Sequence, residues 1–172
     1  MKSDAKIELR FLEEEDIDLV TEIYNYYILH STATFHTTPQ SKEKVKEIIP
    51  FDHPKYKTFL ISYKGEACGY CYIGQYKPRA AYDRTAEVSL YLKPEYTRKG
   101  IGTYCLAHLE HIAGEMGIHV LIGVITDENS GSKKVFLNAG YEQCAHFRQV
   151  GEKFGRILDV AAFQKILDKP SV

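Results

Sequence analysis

Residues 85–103, TAEVSLYLKPEYTRKGIGT, constrain this chain more than any other stretch. Glu87-Val88-Ser89-Leu90-Tyr91-Leu92 is a β-branched and aromatic run that reads as a strand, and Lys93-Pro94-Glu95-Tyr96 reads as a turn. Gly100 and Gly102 then open an amphipathic segment that reads as a helix. A strand, a glycine-containing turn and a helix start, in that order, build an anion site. The first backbone N–H groups of a helix have no partner within it, and the helix dipole adds partial positive charge there. Glycine lets the main chain approach the anion, and Arg98 and Lys99 add formal charge at the same place. Glu87 lies in the strand that leads into this turn. A carboxylate beside a phosphate cradle points to group transfer from a phosphate-containing donor.

The remaining sequence sets bounds. At 172 residues the chain is read as one domain, 1–172. A hydrophobic content of 44% is enough for a sizeable core, and a formal net charge of −1 carries no nucleic-acid footprint. No run of about 18 apolar residues occurs, so no helical membrane span is expected. Met1-Lys2-Ser3-Asp4-Ala5-Lys6 is not followed by the apolar core of a secretory signal, and four cysteines fit reduced thiols, so a cytoplasmic location is expected.

Ile7–Phe11 alternates and reads as a strand. Acidic Glu13–Asp16 opens a helix to about His30, with Ile17, Val20, Ile23, Tyr24, Tyr27 and Ile28 as its apolar stripe. Ser31–Thr38 is expected to be loop or a short extended piece, and Ser41 to cap a short helix that reaches Ile49. Tyr56–Tyr63 and Glu66–Tyr76 read as a hairpin about Lys64-Gly65, Lys77–Arg84 as a connector and Thr85–Leu92 as the next strand. Gly102–Met116 is helical and His119–Thr126 a buried strand. Ser130–Ala139 is a short helix closed by Gly140. Tyr141–Val150 and Arg156–Phe163 form a second hairpin across Gly151–Gly155. The order β-α-α-β-β-β-α-β-α-β-β implies an α/β fold, with a mixed, mostly antiparallel sheet flanked by helices.

Cys68 and Cys71 form a CxxC within a strand-like run, where residues three apart point to opposite faces, so both are read as core cysteines rather than metal ligands. His108 and His111, with Glu110 between them, are read as a solvated helix face. No metal is expected. The glycine pattern is not a Walker loop, which needs Gly-Lys-Ser/Thr. Nor does it follow the first strand of a βαβ unit with an acid about 20 residues on, as a dinucleotide fold requires.

The pattern does resemble the GNAT superfamily of acetyl-CoA-dependent N-acetyltransferases, whose motif Gln/Arg-x-x-Gly-x-Gly/Ala follows the fourth strand. Here it reads Thr97-Arg98-Lys99-Gly100-Ile101-Gly102, so its first position departs. Further matches run through nearly the whole chain. They include Ile23-Tyr24-Asn25, Thr32-Ala33-Thr34-Phe35, Gly69-Tyr70, Arg79-Ala80-Ala81-Tyr82, Thr85-Ala86-Glu87-Val88-Ser89, Asn129-Ser130-Gly131-Ser132, Ala139-Gly140-Tyr141 and Val150-Gly151-Glu152-Lys153-Phe154-Gly155. This set is similar to the phosphinothricin acetyltransferase branch. The resemblance implies a GNAT-like fold, acetyl-CoA as cosubstrate, direct attack in a ternary complex, a small-molecule amine as acceptor and a homodimer.

It also implies roles for individual residues. Glu87 would be the base for the ammonium proton, held in a partly apolar cleft that raises its pKa; the alternative is an ion pair with Arg79 or Arg84. Leu90, Tyr91 and Leu92 would pair with the pantetheine arm as an added strand, and a backbone N–H near Leu90 would face the thioester oxygen. The amides of Arg98, Lys99, Gly100, Ile101, Gly102 and Thr103 would hold the pyrophosphate. Asn129, Ser132 and Lys133 would meet the cofactor, although Asn129 is equally a helix cap. Phe35, Tyr70, Arg79 and Tyr82 would lie near the acceptor, with Arg79 available to a carboxylate.

Two positions depart from the branch. Phe136 stands where it has a His or Tyr, and Ile157 where it has a Trp. Phenyl donates no proton, so the leaving thiolate must take one from water or from a tyrosine elsewhere. Two alternatives stand beside the small-molecule acetyltransferase: acetylation of a protein lysine or N-terminus, and a CoA-binding sensor without turnover.

Overall fold

The computed structural model describes residues 6–167. In chain order the elements are strand β1 (Ile7–Phe11), helices α1 (Ile17–His30) and α2 (Lys42–Ile48), and strands β2 (Lys57–Tyr63), β3 (Glu66–Gln75) and β4 (Thr85–Leu92). Helix α3 (Ile101–Glu115), strand β5 (Val120–Thr126), helix α4 (Ser130–Asn138), and strands β6 (Glu142–Lys153) and β7 (Arg156–Ile166) follow. Short 3₁₀ turns at Glu14–Asp16, Ala80–Tyr82 and Pro94–Tyr96 join some of them. The element order matches the one expected from sequence.

The seven strands form one sheet in the order β1-β2-β3-β4-β5-β7-β6. Every neighbouring pair is antiparallel except β4 with β5, which α3 joins as a crossover. The β2–β3 turn places Lys64 and Gly65 at φ 53° and 85°, and the β6–β7 turn places Phe154 and Gly155 at φ 53° and 68°. Two left-handed residues in succession match the twist of a two-residue hairpin. The second hairpin is longer than its hydrophobic pattern suggested. Strand β6 runs to Lys153, and a register shift between Phe147 and Gly151 absorbs Gln149 at φ 57°.

Each face of the sheet buries its own cluster. Ala86, Val88 and Leu92 of β4 join Ile101, Cys105, Leu106, Leu109, Phe136 and Phe163 beneath α3 and α4. On the other face Ile17, Val20, Ile23, Tyr24 and Ile28 of α1 and Val45 of α2 close over Tyr70, with Tyr72 and Tyr91 against them.

Strict alternation would put Cys68 and Cys71 on opposite faces, yet both are fully buried in the α3-side cluster. The register explains the correction. Ile61 pairs with Gly69 and Ser62 with Ala67, so Cys68 is the extra residue of a bulge and the alternation resets there. A Cβ on Gly69 would lie 2.4 Å from the Tyr91 carbonyl oxygen, which is why glycine follows the bulge. Their burial keeps the core-cysteine reading. His108 departs from a purely solvated face: its ring meets Phe59 edge-on at 5.1 Å.

Candidate active site

Strands β4 and β5 pair only at Thr85–Val120, Ala86–Leu121 and Glu87–Ile122, and beyond that point they part. On its other edge β4 continues in register with β3 to Leu92. Lys93 N–H donates to the Cys68 carbonyl at 2.8 Å. Stepping back by two from that bond, Tyr91, Ser89 and Glu87 face β3, while the peptide groups of Val88, Leu90 and Leu92 face the gap. Sequence placed Leu90 and Leu92 there together. The structure distinguishes them, because the Tyr27 hydroxyl already donates to the Leu92 carbonyl.

The gap is a cleft walled by Ser89, Leu90 and Tyr91 on one side and by Val124, Thr126, Asn129, Ser132 and Phe136 on the other, with Ala33 also in its lining. Asn129 caps α4, its Oδ1 accepting from Ser132 N–H at 3.1 Å, and both residues still line the cleft. Lys133 does not reach it with its charge, since its Nζ donates to Asp127 Oδ1 at 2.8 Å. Phe136 is core as well as wall, meeting Tyr141 edge-on at 4.9 Å.

At the start of α3, Arg98 (φ 61°) and Gly100 (φ 77°) take left-handed backbone and turn the chain into the helix. The first helical bond is Tyr104 N–H to the Gly100 carbonyl, at 3.2 Å. Among the described residues, none of the six amides from Arg98 to Thr103 donates to a protein acceptor. Consecutive free amides at a helix N-terminus fit a diphosphate, so the residues present suit a nucleotide-linked thioester. The two glycines have separate reasons. A Cβ on Gly100 would meet nothing, so its backbone angle requires glycine, whereas one on Gly102 would lie 3.1 Å from Val135 and 3.2 Å from Leu90. Gly102 therefore lets α3 approach α4 and β4. The Lys99 ammonium sits over the rings of Tyr96 and Tyr63 at 4.9 and 5.5 Å, and so is held by aromatic faces.

Glu87 stands at the fork where the two strands separate. Its side chain opens on the α2 face of the sheet into a hollow of about 360 Å³ lined by Ile48, Pro50, His53, Tyr56, Tyr72 and Gly74. Burial pushes its carboxyl above the ordinary carboxylate range. Among the described residues it forms no ion pair, so neither Arg79 nor Arg84 neutralises it.

The residues matched to the acceptor side scatter. Phe35 is partly exposed, with its ring over Gly151, where a Cβ would lie 2.2 Å from it. Arg79 is exposed and without a side-chain partner among the described residues, and Tyr82 packs on Tyr76 at 5.6 Å. Tyr70 is fully enclosed in the α1-side core, lines neither opening and stacks at 5.4 Å on Tyr91, which does line the cleft. The bulge at Cys68 sets which face Tyr70 takes, and its strand pattern alone does not reveal that. Sequence reasoning gave no role to Tyr72 or Thr126, whose only signal is position in an ordinary strand, and Ala33 entered only within the Thr32–Phe35 match.

Asp127, His146 and Asp159 gather within 4.8 Å, but their atoms are committed to Lys133, to each other and to the Gln149 amide.

The profile of the acetyltransferase (GNAT) domain matches residues 9–161. A phosphinothricin N-acetyltransferase of Streptomyces coelicolor is 28% identical over 97% of this chain and 100% of its own length. An L-methionine sulfoximine/L-methionine sulfone acetyltransferase of Salmonella typhimurium is 30% identical over 94% of this chain and 95% of its own. The crystal structure of a GNAT phosphinothricin acetyltransferase from Sinorhizobium meliloti in complex with AcCoA superposes with a TM-score of 0.88. It is 31% identical, covering 94% of this chain and 88% of that one. The chain belongs to the GNAT acetyltransferase family and is an N-acetyltransferase that takes its acetyl group from acetyl-CoA.

Proposed function

We propose that this single-domain enzyme acetylates the amino group of an amino acid or amino-acid analogue, with Glu87 as the base. The observation that carries this reading is the position of Glu87. It is an unpaired, half-buried carboxylate at the point where β4 and β5 part, facing a hollow on one side of the sheet while the cleft opens beyond it. When bound, acetyl-CoA supplies the activated acetyl group. The amides of Arg98 to Thr103 would hold its diphosphate, and Leu90 offers the cleft an unpaired peptide group as an added strand would use it. The Leu90 N–H would orient and polarise the thioester carbonyl. Glu87 takes the proton from the acceptor's ammonium, directly or through one water, so that the neutral amine attacks.

Relatives named for phosphinothricin and for methionine sulfoximine or sulfone support an acceptor of amino-acid type. Arg79, with an uncommitted guanidinium, is the group for its carboxylate. The C–N bond would form as the thioester C–S bond breaks, and, with Phe136 offering no proton at its position, the second proton of the attacking amine would reach the leaving thiolate through water or a tyrosine elsewhere.

The β6–β7 hairpin exposes Phe147, Val150, Phe154 and Ile157, each at least half accessible, which supports a homodimer through this edge. No described helix is long and apolar enough to cross a membrane, in keeping with work in the cytoplasm. Thiol release from acetyl-CoA, measured with amino acids and their phosphinate and sulfone analogues, tests the acceptor. Release with none of these, but with peptide or protein amines, would reject it.

A further inference from the structure

Residues 31–34 leave α1 and pass beside the cleft, where Ala33 forms part of its wall. They belong to no strand and have no ladder to hold them. Three of their four carbonyls are instead occupied by side chains from the other half of the sheet. Lys153 Nζ donates to the Ser31 and Thr34 carbonyls, each at 2.7 Å, and the Thr126 hydroxyl donates to the Thr32 carbonyl. The Thr32 hydroxyl donates to Glu128 Oε1 at 2.7 Å, and Arg156 grips the same carboxylate with two bonds of 2.9 Å. The Thr34 hydroxyl shares a bond of 3.0 Å with Tyr24.

Lys153 is the unusual member. It is only 3% exposed, its ammonium faces two neutral carbonyls and the Phe154 ring at 5.0 Å, and among the described residues no carboxylate pairs with it. Lysine is rarely buried without a counter-charge, and a buried charge costs stability unless its donors are used. A methionine or leucine would fill the volume more cheaply. What the ammonium adds is a pair of directed donors that fix two carbonyls three residues apart, on either side of Ala33.

We propose that Lys153 is a positioning residue for acetyl transfer: by holding the Ser31 and Thr34 carbonyls it sets the strap that walls the thioester end of the cleft. The role rests on the acetyl-transfer reading of this cleft. The donor's diphosphate end is held separately, at the start of α3, so loss of the strap affects the reacting end and spares the anchored one. A misplacement of about 1 Å far from the reacting atoms can lower a rate by about a hundredfold, and about a tenfold loss is expected here.

Lys153→Met keeps the chain length and removes both donors. Its kcat per folded molecule falls about tenfold or more, its acetyl-CoA dissociation constant by calorimetry stays within about threefold of wild type, and amides 33–35 exchange hydrogen faster in the protein alone. Thr126→Val removes one strap bond at nearly constant shape, gives a smaller loss of the same kind, and carries the test if Lys153→Met does not fold. Unchanged kcat per folded molecule in the variant that folds, unchanged exchange at 33–35, or affinity lost in step with rate overturns the proposal. Thiol release by wild type tests the underlying reading separately from this comparison.

Discussion

The Phe136 ring occupies the volume that a side chain at Gly123 would need. A Cβ there would lie 2.2 Å from Cε1 and 2.5 Å from Cζ of the phenyl ring. Strand β5 is thus bare where α4 leans on it, and the aromatic wall of the cleft is seated on main chain.

Gly123→Ala therefore forces Phe136 outward. Overpacking of this kind costs about 1–3 kcal/mol, so the urea midpoint falls. The displaced ring narrows the cleft, and acetyl-CoA affinity falls with it. Full retention of both would show that α4 yields without consequence.

Glu87→Gln lowers kcat by about two to four orders of magnitude while the acetyl-CoA dissociation constant holds. Burial raises the Glu87 carboxyl, and the proton-accepting form is lost as pH falls through that raised value. The acid limb of the wild-type rate profile therefore disappears in the variant. The stability sign is opposite to that of a salt-bridged carboxylate. A raised folded value favours folding below the unfolded value and loses that contribution as pH rises. The variant gains in melting temperature on wild type toward neutral pH. Identical rate profiles would remove Glu87 from the chemistry.

Gly100→Ala and Gly102→Val separate conformation from crowding. The first places a side chain at φ 77° and costs about 1–2 kcal/mol. The second pushes on Val135 and Leu90, already 3.1 and 3.2 Å from where a Cβ would stand. Both weaken acetyl-CoA binding in calorimetry, because both disturb the amides of 98–103. Unchanged affinity in the two variants would mean that the donor does not use this turn.

Glu128 is held far below the usual carboxylate range, at about 2, chiefly by Arg156 and then by the Thr32 hydroxyl. A lowered folded value contributes stability above the unfolded value of 4.5 and loses it as pH falls toward about 2. Glu128→Gln flattens this part of the acid-unfolding curve. Parallel curves for variant and wild type would show that the Arg156–Glu128–Thr32 chain contributes nothing measurable.

Much of the fold was legible because local rules and tertiary placement agree. The α1 stripe from Ile17 to Ile28, the Lys64-Gly65 turn and the order of strands follow from periodicity and turn chemistry. The turn into α3 was legible too, since Gly100 and Gly102 announce it. What escaped depended on contacts between distant segments. The bulge that puts Cys68 with Cys71 and hides Tyr70 is set by pairing with β2, and nothing in Glu66–Gln75 alone marks it. In sequence Lys153 stood only as one member of the Val150–Gly155 match, with no role of its own. Its burial arises only because residues 31–34 fold over it, more than a hundred positions earlier in the chain. Leu90 and Leu92 differ for the same reason: Tyr27, on another element, donates to the carbonyl of one of them.

The short seam between β4 and β5, three residue pairs long, makes the sheet two plates joined along one edge. Glu87 stands at the closed end of that wedge. The two plates are tied again beyond the fork, where Lys153 and Thr126 hold the carbonyls of Ser31, Thr34 and Thr32. Fastened at both places, the slot keeps its width, and the carboxylate keeps its aim.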